Sequence, residues 1–250
     1  MNNISNSFAA LSLDSSDPRE DCAQPNLSTE KGRKMTKKER KKASITRSNR
    51  PEENNSDIQS KQQVLGTSLS MPLVWIDLEM TGLRIEEDRI LEIACIITDG
   101  RLVKRVEGPD LIINQSDQCL ARMGEWCQNQ HSASGLVDAV RKSRVTEQEA
   151  EQQVLEFVKQ HISTTPPPLA GNSVYVDFMF LKKYMPNLAA FFSHILVDVS
   201  SIKALCFRWY PKDAKNAPVK KKTHRALDDI KESIAELEYL QKTIFKASQR

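Results

Sequence analysis

Two acidic residues lie in an apolar stretch of the chain. Leu73 to Gly82 is a short run rich in β-branched and aromatic residues, with Asp77 and Glu79 set into it. Such a run is typical of a buried strand, and Gly82 marks the turn that ends it. Alternate side chains of a strand share a face, so both carboxylates emerge on one side. Unless they simply face water, their repulsion requires a proton, a cationic side chain or a bound cation.

A third acidic residue, Asp177, lies in the apolar segment from Val174 to Leu181. Removing a lone charge from water is costly, so a carboxylate among so many buried-type residues needs a partner. The alternative is a place in the first turn of a helix, where the helix dipole favours a negative charge. Asp177 is therefore either a candidate ligand or a first-turn helix residue.

A histidine and two aspartates lie at the start of the last predicted helix. His224 and Asp229 are five residues apart, and in a continuous helix their side chains would diverge by about 140°. They can meet if His224 lies on the loop before the helix and Asp229 lies on its second turn. Asp228 is the competing partner of His224, because residues four apart share a helix face.

The order of predicted elements indicates an α/β fold with a mixed sheet. Three strands joined by short turns come first and form an antiparallel meander, with Asp99-Gly100 predicted as a tight hairpin turn. Strand–helix units follow, and the helix that opens at Thr146 has a capping box with Glu149. Further helices are predicted over residues 117–128, 135–142, 174–184, 200–209 and 226–246.

The first 70 residues differ in composition from the rest of the chain. Residues 1–70 are mostly polar and hold 12 basic and 9 acidic residues, whereas residues 71–250 hold 24 of each. Such a polar segment cannot bury enough apolar surface to fold, so we predict a disordered tail over 1–70 and a catalytic domain over 71–250. The basic run from Lys31 to Arg50 suggests a nuclear address, a nucleic-acid-binding arm or a solvated tail without a specific role.

Charge and cysteine content narrow the functional classes. The neutral balance of residues 71–250 argues against a broad basic face for long duplex nucleic acid and favours a small substrate or a local basic patch. The five cysteines are scattered and lack CxxC spacing, which predicts an intracellular, reducing compartment and argues against a disulfide framework or structural zinc. No apolar run is long enough to span a membrane, so we expect a soluble protein with no membrane partner.

The acidic residues and the histidine together resemble the DEDDh class of 3′→5′ exonucleases, which has the ribonuclease H-like fold. The pattern is Asp77-x-Glu79, then Asp177, then His224-x4-Asp229. Longer motifs resemble the oligoribonuclease family of eukaryotic type, in the same order over residues 72–246. These motifs are WIDLEMTGL at 75–83, GNS at 171–173, KYMP at 183–186, DVS at 198–200 and HRALDDI at 224–230. The resemblance implies a mixed five-stranded sheet flanked by helices.

The resemblance also implies a chemistry. A metal-dependent 3′→5′ exoribonuclease would hydrolyse short single-stranded RNA to nucleoside 5′-monophosphates and would act as a homodimer. His224 would take a proton from the attacking water, since an imidazole titrates near neutrality. Two Mg²⁺ ions, or Mn²⁺ in their place, would be held by oxygen ligands. Those ligands are the four carboxylates of Asp77, Glu79, Asp177 and Asp229.

Further residues match family positions that contact the substrate: Met80, Leu83, Trp126, His131 and Ser173. By resemblance, Leu83 would wedge between the terminal bases and Trp126 would stack on a base. Core or dimer packing is the alternative for Trp126. His131 and Ser173 would approach the phosphates of the substrate.

One segment departs from the family pattern. In bacterial and animal relatives a His-Tyr-Arg run from the partner subunit caps the 5′ phosphate, and here the aligned residues are Ser193, His194 and Ile195. The missing arginine removes a bidentate phosphate donor. It leaves the preference for very short RNA open, unless His194 or the lysines at 220–222 replace it. Those lysines are equally compatible with a solvated loop.

Two other functions are compatible with the same sequence. One is a related exonuclease that trims longer single-stranded RNA or DNA. The other is a nucleic-acid-binding module that has kept the fold and lost activity, although the complete set of four acids and one histidine argues against it.

Overall fold

A computed structural model of the protein describes residues 69–162, 165–219 and 224–246. The predicted disordered tail falls almost entirely outside these residues, as does the basic run within it. The lysines at 220–222, proposed above as a replacement for the family arginine, also lie outside them.

A mixed sheet of five strands forms the centre of the fold. The strands are β1 (Leu73–Met80), β2 (Ile90–Thr98), β3 (Arg105–Ile112), β4 (Leu169–Gly171) and β5 (Leu196–Asp198). Their order in the sheet is β3-β2-β1-β4-β5. The first three strands pair antiparallel, while β4 lies parallel to both β1 and β5. The predicted meander and the mixed five-stranded sheet are confirmed.

Helices cover both faces of this sheet. In the described part of the chain they are α1 (Asp117–Leu120), α2 (Glu125–Ala133), α3 (Leu136–Lys142), α4 (Glu147–His161), α5 (Val174–Tyr184), α6 (Pro186–Ala189), α7 (Val199–Trp209), α8 (Pro211–Lys215) and α9 (Ala226–Thr243). None of the helices in these ranges combines the length and apolar character that a bilayer crossing requires. The predicted capping box is present at the start of α4, between Thr146 and Glu149.

Two local predictions were wrong. Residues 117–128 do not form one helix, because the extended backbone of Gly124 (φ −62°, ψ 159°) ends the irregular segment after α1 and begins α2. The hairpin between β2 and β3 is also not a two-residue turn, since Thr98 pairs with Arg105. The Asp99 carboxylate organises this longer loop by accepting hydrogen bonds from the backbone N–H groups of residues 103 and 104, at 2.8 and 3.0 Å.

The two faces of β1 contact different helices. On one face Ile76 and Leu78 belong to an apolar cluster with residues of α4 and α5. On the other face Trp75 belongs to a cluster that includes Ile230 and Ile234 of α9. Because side chains alternate along a strand, Asp77 and Glu79 lie on the Trp75 face, towards α9. The sheet therefore places both carboxylates beside the helix that follows His224.

Candidate active site

Three residues from distant parts of the chain meet near the end of β1. A carboxylate oxygen of Glu79, a carboxylate oxygen of Asp229 and a ring nitrogen of His224 all lie within 4.8 Å of one another. Glu79 comes from β1, Asp229 from the first turn of α9, and His224 from the loop just before α9. Carboxylate oxygens are the ligands that hard divalent cations prefer, and an imidazole among them can bind a metal or move a proton.

His224 lies on the loop before α9, which is the position it needs in order to meet Asp229. Helix α9 begins at Ala226 with Arg225 as its N-cap, so His224 lies on the preceding loop. Its backbone is left-handed, with a φ of 50°. Asp229 is the fourth helical residue, which puts it in the first turn rather than the predicted second turn. Asp228, the competing aspartate, is exposed and is not a member of the cluster.

Asp77 lies on the same face of β1 as Glu79 and is only 6% exposed. Ala94 of β2 is opposite Asp77, and Glu92 of β2 is opposite Glu79. The pairing of β1 with β2 shifts register between Glu79 and Met80. Such bulges re-aim side chains and are common beside active sites. The irregularity here lies directly after the second acidic residue.

Asp177 of α5 contacts the backbone of β1. It is the fourth residue of α5 and only 1% exposed. Its Oδ1 accepts a hydrogen bond from the backbone N–H of Leu78, at 3.0 Å. Leu78 lies between Asp77 and Glu79, so the Asp177 carboxylate lies against the strand segment that carries them. The first-turn helix position is therefore observed, and the Asp177 carboxylate contacts the strand backbone between the two acids of β1. Among the described residues, the cluster within 4.8 Å contains neither Asp77 nor Asp177.

This donor set fits a hard divalent cation. The four predicted carboxylate ligands lie on β1, on α5 and in the first turn of α9, and His224 lies on the loop before α9. Glu79, His224 and Asp229 form the cluster within 4.8 Å. Asp77 and Asp177 are nearly excluded from solvent, and buried like charges require compensation. A divalent cation would supply that compensation.

His131 is buried beneath the site. It is 2% exposed, and its Nε2 donates a hydrogen bond to the backbone carbonyl of Met80, at 2.9 Å. Its Nδ1 lies 3.9 Å from Oε2 of Glu79 and has no hydrogen-bond partner among the described residues. Burial lowers the pKa of His131, so the ring stays neutral. His131 therefore packs against the Met80 backbone and the Glu79 carboxylate. Its contact with a substrate phosphate stays a prediction.

Of the remaining predicted substrate residues, Trp126 lies beside the site. Its ring meets the His224 ring edge to face, with the centroids 5.6 Å apart. Part of the Trp126 side chain packs against the cluster formed by α1, α2 and α3. Leu83 is partly buried against the α4–α5 side of the core, and none of its described contacts joins it to the acids.

Ser173 lies directly before α5, with a left-handed φ of 49°. Its backbone N–H donates to Oδ1 of Asp198 and to Oγ of Ser200, both at 3.0 Å. Asn172 donates from Nδ2 to Oγ of Ser233 in α9, at 2.7 Å. This network explains why the GNS and DVS motifs occur in one chain: together they fix the loop that leads into the helix of Asp177.

One charged pair was missed by the sequence reasoning. Glu92 of β2 is completely buried, and the Arg225 guanidinium binds its carboxylate with Nη2 at 2.7 Å and Nε at 3.0 Å. Glu92 is the one acidic residue in the apolar strand Ile90–Thr98. Like Asp177, Glu92 is a lone acid in an apolar segment and needs a partner when it is buried. Its partner, however, is not evident from the sequence.

The segment that departs from the family pattern is exposed. Ile195 is 54% exposed, and His194 is also on the surface. The Ser193 hydroxyl donates a hydrogen bond to the backbone carbonyl of Ile195, at 3.3 Å. Within the described residues, this segment therefore presents an apolar side chain at the position where the family resemblance leads us to expect an arginine.

Comparison with known proteins places this site in a family. The RNase T exonuclease model matches residues 74–237. The chain is 66% identical to an oligoribonuclease of Arabidopsis thaliana over 176 residues, which is 70% of this chain and 79% of the relative. It is 51% identical to a mitochondrial oligoribonuclease of Homo sapiens over 184 residues, 72% of this chain and 76% of the relative. An oligoribonuclease of Pasteurella multocida is 53% identical over 167 residues, 67% of this chain and 90% of the relative.

A solved structure shares the fold. Escherichia coli exonuclease I in complex with a dT13 oligonucleotide superimposes with a TM-score of 0.53 at 16% identity. The match covers 70% of this chain and 41% of that chain. At this identity the likeness shows the fold alone, which is the ribonuclease H-like fold expected from the motifs.

Proposed function

This chain belongs to the RNase T exonuclease family, among the oligoribonucleases, and on that premise we propose that it degrades short oligoribonucleotides from the 3′ end with two Mg²⁺ ions. The products are nucleoside 5′-monophosphates. The observation that carries the proposal is the meeting of Glu79, His224 and Asp229 within 4.8 Å. Family membership supports metal dependence, and the oxygen-rich donor set supports Mg²⁺, with Mn²⁺ as an alternative.

The four carboxylates hold the cations in this proposal: Asp77, Glu79, Asp177 and Asp229. When bound, the cations lower the pKa of a coordinated water and stabilise the charge that develops on the leaving 3′ oxygen. The sheet and α5 fix the positions of the ligands before any cation binds, because Asp77 and Glu79 lie on a strand and Asp177 is tied to its backbone. Such preorganisation reduces the cost of binding both the cation and the transition state.

His224 is the general base of the proposed reaction. Its ring nitrogen is close to the carboxylates that would hold a cation, so it can reach a water bound there. The edge-to-face contact with Trp126 limits the orientations of the imidazole. His224 would accept the proton of the attacking water and pass it to solvent.

The substrate would bind along the loop after β1 and the start of α2. Trp126 is the base-stacking residue we favour, because it lies beside His224. Leu83 and Met80 follow the acids of β1 and would contact the terminal bases. Ser173 leads into the Asp177 helix and would approach a phosphate, as His131 would if its ring turned towards the substrate.

A homodimer is part of the proposal. Helices α7 and α8 and the segment before them expose four large apolar side chains on the surface. They are Ile195 (54% exposed), Leu205 (43%), Trp209 (65%) and Tyr210 (43%). Exposed apolar side chains of this size often mark protein interfaces. We also propose a reducing compartment, because the cysteines in the described residues are buried and none of them forms a disulfide.

Product analysis on RNAs of two to seven nucleotides tests the function. We expect mononucleotides from every length in Mg²⁺, no products in chelator, and no products from an Asp77→Asn variant that still folds. Accumulation of dinucleotides would instead favour an exonuclease for longer strands, which the exposed Ile195 makes a specific alternative. RNA binding without any hydrolysis would indicate a binding module.

A further inference from the structure

Glu92 and Arg225 form a buried ion pair next to the site. Arg225 donates from Nη2 and Nε to the Glu92 carboxylate, at 2.7 to 3.2 Å. The backbone N–H of Ala226 points at the same carboxylate, at 3.4 Å. Glu92 thus receives both a side-chain fork and the first N–H of α9. Hydrogen bonding to Glu92 raises the pKa of Arg225, so the guanidinium stays charged.

Arg225 connects the loop residue His224 to the first turn of helix α9. His224 precedes Arg225, and Ala226, the first helical residue, follows it. The Arg225 carbonyl also accepts the backbone N–H of Asp229, at 3.0 Å. The ion pair attaches Arg225 to β2, the strand paired with β1 beside Glu79. Because His224 is the preceding residue, the same ion pair also fixes the position of the His224 backbone.

The left-handed backbone of His224 needs such an anchor. A non-glycine residue in this region costs on the order of 1–3 kcal/mol and persists only where surrounding contacts determine it. A buried ion pair contributes little net stability, because the charges lose their hydration. Its value lies in geometry, since a planar fork binding a carboxylate fixes both distance and orientation.

We propose that Glu92 and Arg225 are positioning residues whose ion pair holds His224 with its imidazole towards Glu79 and Asp229. This inference rests on the proposed function, in which His224 is the general base. The pair also keeps the Glu92 carboxylate turned towards Arg225, although Glu92 lies opposite Glu79 in the sheet. Neither residue touches the reacting atoms.

The first experiment compares Arg225→Lys with a matched control, Arg105→Gln. Arg105 also joins the sheet to α9, by an ion pair with Glu238 at 3.1 Å, but at the other end of the helix. Lysine keeps the positive charge at residue 225 and loses the fork, so the variant is expected to fold. We expect Arg225→Lys to lower kcat about tenfold or more with little change in KM, because small displacements of a catalytic group are costly. Arg105→Gln should leave both unchanged.

A double-mutant cycle with His224→Asn asks whether Arg225 acts through His224. If it does, Arg225→Lys should change kcat by less than about twofold once the imidazole is absent. A general loss of structure would lower kcat by the same factor in both backgrounds. Glu92→Gln should behave like Arg225→Lys, with a smaller effect, because the amide can still accept one hydrogen bond.

A measurement without catalysis completes the test. The protein has four histidines, so the NMR signal of the His224 ring can be assigned by its loss in His224→Asn. In metal-free protein that signal should shift in Arg225→Lys and in Glu92→Gln, and should not shift in Arg105→Gln.

The outcomes separate this inference from the proposed function. If the parent protein releases no mononucleotides in Mg²⁺, the proposed function fails. If the parent is active and Arg225→Lys matches it, or loses the same factor with and without His224, the positioning role is overturned. An unchanged His224 signal in both Arg225→Lys and Glu92→Gln overturns it as well.

Discussion

The first turn of helix α9 and its later turns contact the same face of the sheet through different chemistry. At the first turn, Asp229 approaches Glu79 and the neighbouring Arg225 binds Glu92. In the later turns Ile234 packs in an apolar cluster with residues of β1 and β2. The first turn of the helix is therefore held mainly by charges with defined directions, whereas the later turns are held mainly by apolar surface, with ion pairs such as Arg105–Glu238 beside it.

This difference separates stability from chemistry within one helix. Apolar burial stabilises in proportion to area and has no preferred direction. Ion pairs and ligand clusters contribute little to stability, yet they fix orientation. We therefore expect substitutions in the later turns to reduce stability, and substitutions at the first turn to reduce activity.

The largest effect is expected at the charged end. Asp229→Asn removes one proposed ligand and should reduce kcat by at least about a thousandfold, because a cation contributes several kcal/mol to the transition state. In chelator the variant should be as stable as the parent or more stable, since the repulsion between residues 229 and 79 is relieved. Single-turnover rates and urea midpoints measure the two effects. A variant that loses stability and activity together would remove the distinction between the two ends.

Ile234→Ala, in the apolar later turns of α9, should lower stability and leave activity nearly unchanged. Ile234 is fully buried, and truncation of such a side chain costs about 2–5 kcal/mol of unfolding free energy. At urea concentrations too low to unfold the variant, we expect its kcat to stay within about twofold of the parent value. Urea unfolding and initial rates at low temperature check both parts. A large loss of kcat in fully folded protein would contradict the prediction.

Trp126→Ala tests an aromatic residue of α2 that contacts His224, next to the charged first turn of α9. If it stacks on a base, its removal should cost about 1–3 kcal/mol of substrate binding, seen as a higher KM. Trp126→Phe should recover most of the loss. If the residue instead serves only to pack against α1–α3, both variants would lower stability and leave KM unaltered.

The smallest effect concerns Asp110 of β3. Partial removal from water raises the pKa of Asp110 to about 6, and the negative charge of Glu92 adds to the rise. The folded protein then keeps a proton that the unfolded chain loses near pH 4, so stability falls as pH rises from about 4 to about 6 and is constant above. Asp110→Asn should flatten this part of the profile. The change will be small, because Asp110 stays exposed on an edge strand.

The sequence was sufficient to predict the fold class and a site where Glu79, His224 and Asp229 lie close together. The full ligand set with Asp77 and Asp177 stays a prediction. Strand alternation places Asp77 and Glu79 on one face, and helix geometry requires His224 to precede the last helix. Both follow from local rules. The hairpin prediction failed because the Asp99 side chain, rather than the Asp99-Gly100 pair, determines that loop.

Long-range pairing could not be predicted. Glu92 is conspicuous as a charge in an apolar strand, but its partner Arg225 lies 133 residues away. The burial of His131 depends on how α2 packs against β1, which local patterns do not encode. The substrate roles assigned by resemblance to Met80, Leu83, Trp126, His131 and Ser173 all remain predictions.

The length of β4 carries a consequence for how this site can change. Strand β4 pairs with only two residues of β1, Val74 and Trp75, and then ends at Gly171. The freed edge of β1 is where the Leu78 N–H meets Asp177. If an insertion lengthened β4 by two residues, a backbone carbonyl of β4 would accept the hydrogen bond of the Leu78 N–H. The Asp177 carboxylate would then lose this contact. Such a protein would have a more regular sheet and, if Asp177 is a ligand as proposed, would lose one ligand of the cation.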